Sequence, residues 1–183
     1  MMNPSDSPER DRELLRRVVA GDETAFEELL GKYQHAVFNT IHRYVGEYSA
    51  ADDIAQEVFA ILWQKAGTFK GRSSFSTWLH RIVVNQCLQF RRKRKPADSL
   101  DCFDAERPPE SLQVADDRER QARIAAVKVA IADLPDRQRM ALVLSLYDGL
   151  SYREIADAMD VSVGSVEALI FRAREHLKSR LQV

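Results

Sequence analysis

Residues 151–181 read SYREIADAMDVSVGSVEALIFRAREHLKSRL, and this stretch decides the fold of the C-terminal part of the chain. Ser151 and Glu154 have the spacing of a capping box, which predicts that a helix begins here. A second helix follows a short turn at Asp160, with Ser162 as its N-terminal cap. The turn needs a left-handed backbone, which aspartate adopts less readily than glycine but more readily than most residues. The pattern is that of a helix-turn-helix.

The second of these helices, about residues 163–181, is expected to enter the major groove of duplex DNA. Val166 fills the space between the two helices, and the small side chain of Ala156 lets them cross closely. Side chains near the N-terminus of the second helix can then lie over base edges, while arginines reach phosphates. An ordinary helical hairpin with a solvated charged face is the alternative. The candidate residues for reading duplex DNA are Ser162, Ser165, Glu167, Ala168, Phe171, Arg172 and Arg174.

Helical periodicity runs through most of the remaining chain, and no convincing β run appears. In the N-terminal half, apolar residues three or four positions apart predict four helices that pack as one bundle. The first ends near Gly21, the second ends at Gly46, the third begins at Ser49, and the fourth runs from about Ser76 to Arg94. The fold is therefore expected to be all-α.

A change of composition divides the chain into two small helical domains. Residues 96–120 contain prolines, are acidic and lack apolar periodicity, which predicts a flexible linker. The expected domains are residues 1–95 and residues 121–183, the second containing the helix-turn-helix. A linker of this length and polarity allows the two domains to move independently.

Composition restricts the class of protein. The 183 residues include 27 Lys and Arg and 28 Asp and Glu, which gives a formal net charge of −1. The basic and acidic residues are, however, distributed unevenly along the chain. The longest apolar runs are too short to cross a bilayer, and the charged N-terminus does not resemble a secretory signal. A cytoplasmic protein is expected. Cys87 and Cys102 belong to no CxxC or Cys/His cluster, so neither a metal site nor a cofactor is expected.

The segment from Arg72 to Lys95 is strongly basic and contains no acidic residue. Aromatic and amide side chains alternate with the basic ones, which suits single-stranded nucleic acid because bases stack on rings while cations meet the backbone. The alternative is that the aromatic residues belong to the core and the basic end is a solvated helix terminus. Five side chains at spacings of three and four can share one face: Trp78, Arg81, Asn85, Gln89 and Arg92.

In this order and spacing, the two nucleic-acid segments resemble the extracytoplasmic-function (ECF) sigma factors of bacterial RNA polymerase. ADDIAQEVFAILWQKAGTFKGRSSFSTWLHRIVVNQCLQFRRKRK, residues 51–95, is similar to region two of that family. LPDRQRMALVLSLYDGLSYREIADAMDVSVGSVEALIFRAREHL, residues 134–177, is similar to region four. The resemblance covers nearly the whole chain and implies an alternative sigma factor without enzymatic activity.

The resemblance also implies a role for each segment. The helix face bearing Asp52, Asp53, Gln56 and Glu57 would dock on the clamp helices of the polymerase large subunit, since an acidic face suits a basic coiled coil; a solvated helix start is the alternative. The helix-turn-helix would read the promoter −35 element, and the linker would thread toward the active-site and RNA-exit channels. The loop from Gly71 to Phe75 and the helix over residues 76–92 would open the promoter and capture flipped bases of the −10 element. The side chains implied in this role are Arg72, Ser74, Phe75, Trp78, Arg81, Asn85, Gln89 and Arg92.

The implied partners are core RNA polymerase, through its clamp helices and flap, promoter DNA in duplex and single-stranded form, and an anti-sigma factor, often held at the inner membrane. Two departures from the family pattern prevent prediction of the promoter sequence. Asp160 replaces the usual turn glycine, and residues 167–169 are Glu-Ala-Leu where many relatives have a basic residue followed by Ser-Arg. Glu167 can accept from a cytosine amino group but loses a phosphate contact.

Three other classes of protein fit the sequence less well. Four scattered histidines, without HExxH, GxSxG or a Gly-rich phosphate loop, argue against an enzyme. A stand-alone helix-turn-helix regulator is the main alternative, but it would need a ligand or dimerisation domain in the first half, which is instead basic and aromatic at its end. An RNA-binding adaptor ranks third because the helix-turn-helix is of the type that reads duplexes.

Overall fold

The computed structural model describes residues 8–94 and 115–181, and this part of the chain forms eight α helices and no β strand. The all-α prediction is confirmed. A short 3₁₀ helix, Ala66–Thr68, follows the third helix. The α helices are α1 (Pro8–Val19), α2 (Glu23–Val45), α3 (Tyr48–Lys65), α4 (Phe75–Arg94), α5 (Ala115–Ala132), α6 (Asp136–Leu146), α7 (Tyr152–Met159) and α8 (Val163–Leu181).

Local sequence explains where the long helix α2 begins and ends. The Asp22 carboxylate accepts hydrogen bonds from the backbone N–H groups of Thr24 and Ala25, at 3.0 and 3.2 Å. Hydrogen bonds, first from the Thr24 side chain and then from Arg17, lower the pKa of Asp22 to about 2. At the other end, Gly46 has a φ of 86°, a left-handed conformation that glycine adopts without steric cost. The end predicted at Gly46 is confirmed.

Helices α1 to α4 form the N-terminal domain, a bundle around one apolar core. Leu14 of α1, Leu29 of α2, Leu62 of α3 and Leu79 of α4 are each almost completely removed from solvent. Aromatic rings close the core between α2 and α4, where Tyr33 and Phe75 meet edge to face with centroids 5.2 Å apart. Helices α3 and α4 pack on this same core, so both predicted binding faces belong to one domain.

Helices α5 to α8 form the C-terminal domain, in which the middle of α6 is buried on all sides. Six consecutive residues, Arg139–Leu144, are buried. Leu142 packs with Leu134 and Ala173 of its own domain, whereas Met140 and Leu144 join the core cluster of the N-terminal domain. A surface helix would bury only one stripe. Helix α6 therefore lies between the two domains and contributes to the core of both.

The sequence predicts two domains joined by a flexible linker, and in the structure these two domains are also in direct contact. In the structure they contact each other through α2, α4, α6 and α7 and share one continuous core. The physical reason is that α6 exposes apolar side chains on two opposite faces, and one domain covers only one of them. Of the predicted linker, residues 96–114 lie outside the described residues, and residues 115–120 already belong to α5.

Within residues 8–94 and 115–181, no helix combines the length and the apolar character that a membrane crossing requires.

Candidate nucleic-acid interface

The helix-turn-helix predicted from residues 151–181 is formed by α7 and α8. The Ser151 hydroxyl accepts from the Glu154 N–H at 3.3 Å, and the Ser151 N–H donates to the Glu154 carboxylate at 2.9 Å. These hydrogen bonds complete the capping box. The Ser151 hydroxyl also donates to the Glu154 carboxylate at 2.6 Å, and this bond, followed by the one from the Ser151 N–H, lowers the pKa of Glu154. Asp160 has a φ of 55°, so it adopts the left-handed turn where the family pattern has glycine. Val166 is fully buried between the helices, as its position predicts.

The outer face of α8 presents most of the predicted duplex-reading side chains to solvent. Ser162 caps the helix, because its hydroxyl accepts from the Ser165 N–H at 3.2 Å. Phe171 is 65% exposed, which is a high value for a large apolar ring outside a binding surface. Ala168 is half-buried, and the remaining predicted residues, Ser165, Glu167, Arg172 and Arg174, are exposed. The surface expected to contact DNA is therefore accessible on α8.

Helix α4 carries the second predicted surface. Four of its five side chains are exposed and Trp78 is half-buried. Leu79, Ile82 and Val83 are buried, so the helix is amphipathic: one side joins the core and the other is cationic. We call the side formed by Trp78, Arg81, Asn85, Gln89 and Arg92 the α4 face.

Two residues predicted to contact the −10 element have structural positions instead. The ring of Phe75 is only 2% exposed, because the start of α4 turns inward and packs it against Tyr33 and Phe69. The prediction that Phe75 meets DNA is wrong for this conformation. The Ser74 hydroxyl caps α4, accepting from the Thr77 N–H at 3.0 Å. Arg72, in the loop before α4, is exposed.

The four predicted polymerase-binding residues, Asp52, Asp53, Gln56 and Glu57, are all exposed on α3, and we call them the α3 acidic face. The Gln56 amide donates to the Asp52 carboxylate at 3.1 Å. This face borders an open groove of about 740 Å³ between α2 and α3. The groove is lined by aromatic rings, among them Phe38, Tyr48 and Trp63, and the last two are exposed. A charged rim beside an apolar groove is typical of protein interfaces.

Residues that the sequence interpretation did not single out connect the two domains. Arg139 is 1% exposed, and its guanidinium donates to the Tyr44 carbonyl oxygen at 3.1 Å and to the Ile131 carbonyl oxygen at 3.0 Å. Burial lowers the pKa of Arg139 to about 10, which leaves it charged at neutral pH. Tyr44 is in the last turn of α2, where the helix dipole favours a cation. An arginine directly before the apolar run MALVLSL, residues 140–146, was the available signal.

Comparison with known proteins identifies the family. Residues 29–96 match the model for Sigma-70 region 2, and residues 124–177 match the model for Sigma-70, region 4. The RNA polymerase sigma-H factor of Pseudomonas aeruginosa is 38% identical over 95% of this chain and 95% of its own. The chain belongs to the ECF sigma factors, of the two-domain type. The ECF sigma-E factor of Escherichia coli is similar to this sigma factor too, with 36% identity over 94% of each chain.

Solved structures agree with the fold of the sigma factor. CnrH, in its complex with the cytosolic domain of CnrY, has a TM-score of 0.69 and 26% identity, covering 94% of this chain and 97% of CnrH. The sigma factor RpoE of Bartonella quintana, solved with the anti-sigma factor NepR, has a TM-score of 0.67 and 23% identity over 86% of this chain and 97% of its own. As a sigma factor, the protein is a transcription initiation factor and not an enzyme.

The exposed α8 face leads to a prediction about duplex readout. Arg172→Ala is expected to weaken holoenzyme binding to all promoters and to reduce the salt dependence by about one counterion, because a phosphate contact carries no sequence information. Glu167→Gln is expected instead to change which bases are preferred, by roughly 1–3 kcal/mol at one position. Binding of each holoenzyme to a randomised −35 library at several salt concentrations measures both effects. An even loss across all sequences in both variants would contradict this division of roles.

Proposed function

We propose that this sigma factor directs core RNA polymerase to a specific set of promoters and opens them, acting in the cytoplasm. Residues 1–95 bind core polymerase through the α3 acidic face and recognise and melt the −10 element through the α4 face. Residues 121–183 recognise the −35 element through α8, and residues 96–120 connect the two. The proteins that the chain matches over nearly its whole length support this function, since they are named as RNA polymerase sigma factors.

One observation carries the proposal: a single chain presents two surfaces of different chemistry, one on α8 and one on α4. Helix α8 is the second helix of a capped helix-turn-helix, and its exposed face suits duplex DNA. The α4 face combines cations, amides and an indole, which suits single-stranded DNA. A factor that reads one element as duplex and melts another needs both. A stand-alone regulator needs only the first.

The test is transcription in vitro with purified core polymerase over a promoter library. The expected result is initiation from a defined subset of sequences that requires both the protein and the core. Duplex binding by the protein alone should be weak. The contrary result, tight and specific duplex binding without core and no core-dependent transcripts, would favour the stand-alone regulator.

We propose further that an anti-sigma factor controls this protein. CnrH, which is similar over 94% of this chain, was solved in complex with the cytosolic domain of another protein. The aromatic groove between α2 and α3 and the exposed ring of Phe171 on α8 are apolar surfaces that amphipathic helices of such a partner could cover. Covering α3 would block the binding of core polymerase, and covering α8 would block the binding of the promoter.

This control predicts competition between the partner and core polymerase. A complex of the sigma factor with its partner, isolated from uninduced cells, is expected to release the partner as core polymerase is titrated in, because both need α3. Size-exclusion chromatography of the titration mixtures gives the measurement. A stable complex of all three that still transcribes would rule out the mechanism, and so would the absence of any co-purifying partner.

A further inference from the structure

A basic cleft lies beside the loop that precedes α4, in a part of the N-terminal domain to which the proposed function gives no role. It has a volume of about 580 Å³ and is formed by α1, the 3₁₀ helix and residues 69–71. Among the described residues that line it, three are basic, namely Arg12, Arg16 and Lys70, and none is acidic. The rest of the wall is largely apolar and includes Val19, which is 57% exposed. We call this the α1 cleft.

The three cations of the α1 cleft are available to an anion from outside. All three are exposed, and within residues 8–94 and 115–181 neither Arg12 nor Lys70 has a carboxylate partner. Arg16 pairs with Glu13, one turn earlier on α1, at 2.5 Å, and the two side chains are 76% and 46% exposed. An exposed pair of this kind contributes little, so a phosphate can replace Glu13. The cleft therefore has the charge of an anion-binding site.

The backbone of the α1 cleft is open to close approach. Gly67 and Gly71 both line the cleft. A Cβ atom at Gly71 would meet no atom within 4 Å, and one at Gly67 would meet only the side chain of Val19, at 3.9 Å. Gly71 has a φ of 67°, a left-handed conformation that turns the chain between Lys70 and Arg72. These two basic residues consequently line different clefts.

The α1 cleft is continuous with the α4 face. Phe69 lines the cleft, and its ring meets the ring of Trp78 on the α4 face, with centroids 5.5 Å apart. Arg72 lines a second cleft together with Trp78 and Arg81. Two residues of chain span at most about 7 Å, so Lys70 and Arg72 place cations close together on both sides of the loop. A small anion needs only one of these clefts, whereas an extended polyanion can occupy both.

We propose that the α1 cleft binds the sugar-phosphate backbone of single-stranded promoter DNA next to the segment that the α4 face holds. Arg12, Arg16 and Lys70 bind the phosphates, because phosphate oxygens accept charge-assisted hydrogen bonds from both kinds of cation. Such contacts add affinity without a base preference. The inference rests on the proposed −10 role of the α4 face and extends the bound strand beyond that element. A strand that is held on both sides of the loop is kept from pairing again with its complement.

The first test measures binding of a labelled single-stranded 20-mer of mixed sequence by the full-length protein without polymerase. Fluorescence anisotropy gives the affinity between about 50 and 200 mM salt. The cleft variant is Arg12→Gln/Arg16→Gln/Lys70→Gln. The control removes the same charge at three exposed residues that line neither cleft, Lys65→Gln/Lys128→Gln/Arg137→Gln.

We expect the salt dependence of the cleft variant to be weaker than that of the wild type. Each phosphate contact with a single strand contributes roughly 0.7 to the slope of log affinity against log salt, so three lost contacts lower the slope by about 2. At the lowest salt the cleft variant should bind at least tenfold more weakly than the control. If circular dichroism shows that the triple variant has lost helix, the single variant Lys70→Gln decides by the same titration, with a slope lower by about 0.7.

The second test locates the contact in the holoenzyme on a pre-melted promoter. An uncharged methylphosphonate linkage replaces one phosphate at a time along the single strand. For the wild type, affinity should fall several-fold at linkages just outside the −10 element. The cleft variant should lose nothing further at those linkages, because its partner groups are already gone, and this non-additivity identifies the paired groups. Linkages inside the −10 element should weaken both proteins equally.

Three results would overturn the proposal. The first is an affinity and a salt dependence of the cleft variant equal to those of the control, including the case in which the wild type does not bind the 20-mer at all. The second is additive losses at every linkage outside the −10 element. The third is binding of ATP alone that the cleft variant loses, which would assign the cleft to a free nucleotide. The titration contains neither polymerase nor promoter, so a failure of core-dependent transcription would count against the proposed function separately.

Discussion

Replacing Asp53 and Gln56 with lysine is expected to prevent assembly of the holoenzyme while leaving the fold intact. Both residues are exposed on α3 and contribute nothing to the core, so the substitutions should not change helix content or thermal stability. On the proposed interface they place positive charge against a basic coiled coil, and like charges in contact oppose binding. The affinity for core polymerase should fall by roughly 100-fold, which corresponds to about 2.7 kcal/mol.

Analytical size-exclusion chromatography and a fluorescence titration with core polymerase measure this loss. The control is Glu9→Lys, which reverses the charge of an exposed acidic residue. Glu9 lies on α1 and does not belong to the α3 acidic face. The control should assemble as the wild type does. Undiminished co-elution of the Asp53→Lys/Gln56→Lys variant with core would show that the α3 acidic face is a solvated helix start.

The second large effect is expected for Asn85→Ala, in the step that opens the promoter. Asn85 is exposed in the middle of the α4 face, between Arg81 and Gln89. If its amide holds an unstacked base, its loss withdraws part of the free energy that offsets unstacking, a cost of a few kcal/mol. Open complexes on duplex promoters should form about tenfold more slowly, equivalent to about 1.4 kcal/mol. Permanganate reactivity of unpaired thymines measures the rate.

A pre-melted template separates this role from a structural one. Since the strands are already apart, the Asn85→Ala variant should recover most of the wild-type rate on it. The control is Gln86→Ala, which removes an amide one position along the helix and about 100° around it. Equal defects on duplex and pre-melted templates, or equal defects in the two variants, would mean that Asn85 supports the helix and does not bind a base.

Local signals were sufficient to predict the helices and the helix-turn-helix. Capping depends on a few neighbouring residues, so Ser151 with Glu154 marked the start of α7, and Gly46 marked the end of α2. The burial of Val166 followed from the spacing of the motif alone. The same holds for the exposed faces of α3 and α8, because a helix that buries one stripe must expose the opposite one.

The sequence by itself therefore determined an all-α chain, its helix-turn-helix and its membership of the sigma factors, because these depend on local spacing and on motifs. Only the tertiary structure decided how the domains meet. Phe75 belongs to the core because Tyr33, which is distant in sequence, packs against it together with the nearby Phe69. Arg139 and Asp148 form hydrogen bonds with Tyr44 and Thr40, which lie about a hundred residues earlier in the chain. Contacts at such separation leave no periodic trace in either segment, since each half of a contact is patterned only by its own helix.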